Sequence, residues 1–198
     1  MERTERGAGS SVGLPLRRAV SLRIISGEFG GRRIRAPAGL STRPTREVVR
    51  EAWFSVLADR VVGSRVLDLF AGSGALGLEA LSRGASLVCF VESNRRVLSV
   101  LRGNIETLSA APRTEVLAAD AFNVVEELAR SSERTWDIAL ADPPYGSDGA
   151  VRLLSAFSHR AFASILCVEH ASSVDFPREP DWHRRYGQTA LSIFLDPT

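Results

Sequence analysis

The stretch DLFAGSGALG, Asp68 to Gly77, decides the fold. It follows an apolar run, RVLDLF (65–70), and opens a helical pattern, GALGLEALSRGA (74–85), that ends at Gly84. A glycine-rich turn between a strand and a helix puts backbone amides at a helix N-terminus, where a nucleotide binds. Gly72, Gly74 and Gly77 match G-x-G-x-x-G, and Glu92 closes the next strand twenty residues after Gly72. That spacing fits the dinucleotide fingerprint, in which the later acid takes ribose hydroxyls.

Downstream the alternation continues. LVCFVE (87–92), TEVLAAD (114–120), DIALAD (137–142) and SILCVEH (164–170) read as strands, with helical patterns at 94–108, about 121–131 and about 148–158. Two more strands, about 182–187 and 189–195, turn through Gly187. The pattern predicts an α/β fold: a doubly wound, mostly parallel, seven-stranded sheet with an antiparallel hairpin at one edge. Upstream, LRIISGEFGGRRIRAP (Leu22–Pro37) reads as a short hairpin around Gly30-Gly31. RPTREVVREAWFSVL (Arg43–Leu57) reads as a helix from about Thr45, which can cap it. These form a small N-terminal hairpin and helix extension to the sheet. Residues 1–20, rich in Gly, Ser and Arg with no apolar stretch, are expected to be disordered and are not a secretory signal.

The acids choose between cofactors. Asp68 lies inside the first strand, beneath the glycine turn. Beside a pyrophosphate it would be repelled by energies on the order of several kcal/mol at an effective dielectric near 20. S-adenosylmethionine instead presents an ammonium and a sulfonium, which Asp68 favours, while Glu92 takes the ribose diol. Asp120, ending the third strand, stands where an adenine amino group is read, or simply caps the helix beginning at Ala121. Three acids at successive strand ends, on the edge where doubly wound sheets bind ligands, favour the methyl donor. A nicotinamide-dependent oxidoreductase is the rival from another class.

LADPPYG (Leu140–Gly146) follows the fourth strand. An exocyclic amine on a base is a weak nucleophile because its lone pair is delocalised into the ring. Two acceptors aimed at its hydrogens localise that pair. Asp142 supplies one and the carbonyl of Pro143 the other. Pro143 and Pro144 fix φ and bring no competing N–H, and Tyr145 stacks on the base. Catalysis is then positioning plus stabilisation of developing charge.

Charge is distributed unevenly. The chain carries a net charge of +2, yet residues 1–50 hold eleven arginines against four acids, and no lysine occurs anywhere. A basic arm on a mildly acidic body implies a polyanionic partner, and the arginine fork suits phosphate. Cys89 and Cys167 sit in apolar runs and read as buried thiols in a reducing, cytoplasmic compartment. The three histidines are scattered, so no metal site is expected, and His170 reads as a surface residue. No apolar run approaches a membrane span.

These residues resemble the RsmD-type 16S ribosomal RNA (guanine-N2)-methyltransferases. The likeness rests on DLFAGSGALGLEALSRGA and DPPY together with RIISGEFGGRRIRAP and RPTREVVREAWF, and runs from about Leu22 to the C-terminus. It implies a Rossmann-like class I methyltransferase with S-adenosylmethionine as donor, acting on N2 of the guanine conventionally numbered 966. The implied partner is 16S ribosomal RNA within an assembling small subunit, met by a monomer with no metal. By motif match Asp68, Ala71, Gly72, Gly74 and Glu92 line the cofactor, Asp120 and Ala121 lie near adenine, and Asp142, Pro143, Pro144 and Tyr145 carry the transfer. Arg23, Arg32, Arg33, Arg35, Arg43 and Arg46 would hold RNA phosphates. The chain thus divides into an extension (1–20), a basic RNA-binding hairpin and helix (21–60) and a catalytic domain (61–198). DPPY is shared with DNA amino-methylases, so adenine-N6 methylation of DNA is the nearer rival. A non-catalytic RNA-binding module is a third.

Overall fold

The computed structural model describes residues 21–37, 44–130, 136–144 and 148–196 of the chain. The expected extension at 1–20, Arg43 and Tyr145 lie outside the described residues, as do the side chains of Thr45 and Arg46.

Along the chain come β1 (Ser21–Arg23), β2 (Arg33–Arg35), α1 (Pro44–Leu57), β3 (Arg65–Leu69), α2 (Ala75–Ser82), β4 (Leu87–Val91), α3 (Arg95–Thr107), β5 (Thr114–Leu117), α4 (Ala121–Arg130), β6 (Trp136–Ala141), α5 (Gly149–His159), β7 (Ala163–Ala171), β8 (Trp182–Tyr186) and β9 (Thr189–Leu195). β1 pairs antiparallel with β2. The other seven strands form one sheet in the order β5-β4-β3-β6-β7-β9-β8. β3 to β7 run parallel, β9 lies antiparallel beside β7, and β8 closes the edge. The expected sheet is therefore present, with the last strand inserted inside the edge.

The strands alternate between two apolar layers. Val66, Val88, Phe90, Ile138, Leu140, Cys167 and Ile193 pack on one face with Leu78 of α2, Leu101 of α3 and Trp53 of α1. Leu67, Leu69, Cys89, Val91, Ala139, Leu166 and Phe194 pack on the other with Val125 of α4 and Leu153 and Phe157 of α5. Helices on both faces explain why the central strands are apolar without interruption. Gly77 lets α2 approach: a Cβ there would stand 2.3 Å from Phe90 Cε1 and 2.7 Å from Val88 Cγ1.

The N-terminal segment has no core of its own. Ile24, Phe29 and Ile34 share one cluster with Trp53, Leu78 and Leu81. Polar contacts fix the same contact surface. Glu79, wholly buried on α2, accepts from the Ile25 amide (2.7 Å), the Ser26 amide (3.0 Å) and Arg83 Nε (2.8 Å). Arg50 Nε of α1 stands 3.8 Å from the same carboxylate. Ser82 accepts the Phe29 amide through Oγ and the Glu28 amide through its carbonyl, and its hydroxyl donates to the Ser26 carbonyl. Gly27, at φ +82°, is where the two backbones meet: a Cβ would fall 1.8 Å from the Ser82 carbonyl oxygen.

Helix α1 opens on Pro44, which tolerates the first turn because its missing N–H has no acceptor there. Cys89 and Cys167 are buried thiols, as expected; burial pushes Cys89 up to about 12. His170 corrects the sequence reading: it is 4% exposed. Its Nδ1 donates to the Ala171 carbonyl and its Nε2 accepts from Ser192 Oγ at 2.8 Å. Burial lowers its pKa. The alternation along β7 turns His170 inward, which a strand-end position in sequence does not reveal.

Candidate active site

The strand order reverses between β3 and β6, and at such a point the loops leaving the strands part to form a crevice. A cleft of about 390 Å³ opens there. Asp68, Ala71, Gly72, Glu92, Asp120, Ala121, Asp142, Pro143 and Pro144 all line it. The sequence motifs from four strand ends thus meet in one place. Gly74 stands behind the lining, at φ +81°, where a Cβ would come within 2.5 Å of Leu101 Cδ1.

The amides of the glycine turn already have partners. Gly72 donates to Glu92 Oε2 at 3.0 Å, Gly74 to the Ala71 carbonyl at 2.7 Å and Gly77 to Asp68 Oδ2 at 2.8 Å. Glu92 also accepts the Asn94 amide through Oε1 at 2.7 Å. Carboxylates occupy the positions a pyrophosphate would need. Among the described residues the ionisable lining is Asp68, Glu92, Asp120, Asp142 and Glu169 against one base, Arg50. The cleft therefore suits a cationic ligand and opposes a phosphate-bearing one.

Asp68 is buried at the base of the cleft, and its pKa is raised to about 7. Desolvation is the main cause; the Gly77 amide opposes it, and Glu92 adds to it. Asp120 is exposed at the rim, and its Oδ1 accepts the amides of Phe122 (2.9 Å) and Asn123 (3.2 Å). It caps α4 and lines the cleft at once. Phe70, at φ +61°, also lines the cleft. A bulky side chain in the left-handed region costs on the order of 1–3 kcal/mol, a strain that gathers at functional turns.

The N-terminal segment walls one side through Leu22, Ala36 and Arg50. Arg50 is buried, and its NH2 donates to the Arg23 carbonyl at 2.6 Å. Asn104 of α3 ties this wall to the glycine turn. Its Oδ1 accepts the Arg35 amide at 2.8 Å, and its Nδ2 donates to the carbonyls of Arg35 (2.9 Å) and Ser73 (2.8 Å).

The candidate phosphate-binding arginines separate into two kinds. Arg23, Arg32, Arg33 and Arg35 are all exposed, and Arg33 Nη1 donates to Ser21 Oγ at 2.8 Å. Arg32 is set apart by its guanidinium, which donates to the Thr107 and Leu108 carbonyls at the C-terminal end of α3, where the helix dipole favours a cation. Sequence reasoning missed Glu169 and Arg50 as cleft residues. Glu169 carried a signal, since it is an acid near the end of a strand like the others. Arg50 gave none, because only the fold brings α1 to the sheet edge.

The family described as conserved hypothetical protein 95 matches residues 22–195. A putative rRNA methyltransferase of Bacillus subtilis, YlbH, is 35% identical over 181 residues, covering 87% of this chain and 98% of its own. The ribosomal RNA small subunit methyltransferase D of Escherichia coli K12 is 34% identical over 181 residues, covering 87% of this chain and 89% of its own. A solved structure, the putative methyltransferase yhhF from Escherichia coli, superposes with a TM-score of 0.76 at 30% identity, covering 89% of this chain and 98% of that one.

Proposed function

Since the chain belongs to the conserved hypothetical protein 95 family, we propose that it methylates the exocyclic N2 amine of a guanine in small-subunit ribosomal RNA, with S-adenosylmethionine as donor. The observation that carries this reading is the acid-lined cleft, where carboxylates hold the Gly72 and Gly77 amides and Asp142-Pro143 joins the lining. The small-subunit methyltransferase among its relatives supports the substrate class.

S-adenosylmethionine supplies a methyl group made electrophilic by its positively charged sulfur. Asp68 and Glu92 offer negative charge to the cationic part and the ribose hydroxyls. Each carboxylate has about four lone-pair sites, so the bonds to Gly72 and Gly77 leave acceptors over. Asp120 stands at the adenine end, and Arg50 gives a carboxylate its cationic partner. Asp142 and the Pro143 carbonyl accept the two hydrogens of the target amine and stabilise the positive charge it gains as it attacks. Tyr145 stacks on the base. The exposed Arg23, Arg33 and Arg35, with Arg43 and Arg46, hold backbone phosphates while the guanine leaves its stack, which costs a few kcal/mol. Within this scheme residues 21–60 grip the RNA, residues 61–198 bind the donor, and the enzyme acts as a monomer on an assembling subunit.

The test is nucleoside mass spectrometry of small subunits taken from cells lacking the gene, before and after incubation with the purified protein and donor. New N2-methylguanosine, mapped to the guanine numbered 966, is expected. Methyl groups appearing instead on adenine in added DNA would replace this reading with its rival.

A further inference from the structure

We propose that Glu169 selects guanine, its carboxylate accepting the N1–H of the target base while Asp142 accepts from the neighbouring exocyclic amine. This deepens the guanine reading above and rests on it.

β6 and β7 are parallel neighbours with Ala141 opposite Val168. Asp142, just past the end of β6, and Glu169, still within β7, therefore stand side by side on strands roughly 4.8 Å apart. Leu140 and Cys167, two residues earlier on the same strands, both belong to the cluster shared with α1 and α2. Strand alternation returns Asp142 and Glu169 to that same face, and both line the cleft. Both are half-buried, with Pro143 buried next to them, so their charge meets a ligand with little water between.

Two adjacent acceptors suit only one kind of base edge. The Watson–Crick edge of guanine presents N1–H and the N2 amine as neighbouring donors. Adenine sets the N1 lone pair beside its N6 amine, and cytosine sets the N3 lone pair beside its N4 amine. Against either of those edges Asp142 would accept from the amine while the Glu169 carboxylate would be set against a lone pair, acceptor facing acceptor. A site built to receive a hydrogen bond rejects an analogue that lacks the donor. Glu169 thus separates guanine from the other two amine-bearing bases that an Asp-Pro-Pro-Tyr turn is able to serve.

2-Aminopurine isolates this contact, because it keeps the N2 amine and replaces N1–H with a bare N1 lone pair. Small subunits reconstituted with ligated RNA carry either guanine or 2-aminopurine at the target position. The wild-type protein is expected to prefer guanine in kcat/KM by on the order of tenfold to a hundredfold. Glu169→Gln, whose amide donates to a bare N1, is expected to bring that ratio close to unity. The ratio is taken within one preparation, so any unfolded fraction cancels. A wild-type ratio retained in Glu169→Gln overturns the role of Glu169 and leaves the guanine reading standing. A wild-type protein that methylates no guanine in the subunit overturns that reading, and this proposal with it.

Discussion

Asp68 and Asp142 are both carboxylates at the sheet edge, yet their surroundings give them different tasks. Asp142 is half-buried in the lining of the cleft beside Pro143. In the proposed mechanism, Asp142→Ala removes the acceptor that sharpens the target amine. The turnover number is expected to fall at least about a hundredfold, with S-adenosylmethionine affinity retained by calorimetry. Asp68 is buried and raised to about 7 by desolvation. A carboxyl raised in the folded state stabilises the fold fully below its unfolded value of roughly 3.9, and that contribution is lost as pH rises through the folded value. A cation in the cleft favours the ionised form and so draws off the proton. Affinity for S-adenosylmethionine is therefore expected to increase between about pH 5.5 and pH 7.5, with proton release seen as buffer-dependent heat. Asp68→Asn is expected to flatten that dependence, since the amide still accepts the Gly77 N–H but no longer titrates.

At the scale of elements, the contact between the N-terminal hairpin and α2 is the part of the molecule most exposed to single substitutions. Glu79→Ala removes the carboxylate 3.8 Å from the buried Arg50 guanidinium and leaves the Ile25 and Ser26 amides without acceptors. Breaking a buried pair from one side costs about 3–5 kcal/mol, measurable as a fall in the urea midpoint. Gly27→Ala forces a Cβ into the Ser82 carbonyl. Faster amide hydrogen exchange across residues 24–34 is expected, with protection of β3, β4 and β6 kept. Neither effect was legible in the sequence. Glu79 sits within a helical pattern and looks like any acid on an amphipathic face, because nothing local says that the opposing surface is another backbone. The strands and helices themselves were legible, since their periods are local. The strand after residue 114 was the exception, ending at Leu117 rather than at Asp120, because β5 lies at the sheet edge and only β4 pairs with it.

Across the whole molecule, charge is divided between an acidic cleft and a basic rim. Arg23, Arg33 and Arg35 lie on one exposed ribbon beside the wall of the cleft. Replacing all three with Gln is expected to weaken RNA binding and to reduce the slope of log affinity against log salt by about 2, read by filter binding at several ionic strengths. Arg32→Gln is expected to leave that slope nearly unchanged, since its guanidinium serves the end of α3. Composition alone located the basic arm, but it gave all of the arginines equal weight; only the fold shows that Arg32 is tied to the end of α3. The cleft was legible because acids mark the ends of β3, β4 and β6, whereas the wall formed by Leu22, Ala36 and Arg50 was not, because it comes from a segment distant in sequence. That wall is also why the hairpin is not a portable cassette. Grafted onto another protein, it would arrive with amide donors that Glu79 and Ser82 satisfy and an apolar underside that packs against α1 and α2, so hairpin and sheet must evolve as one inheritance.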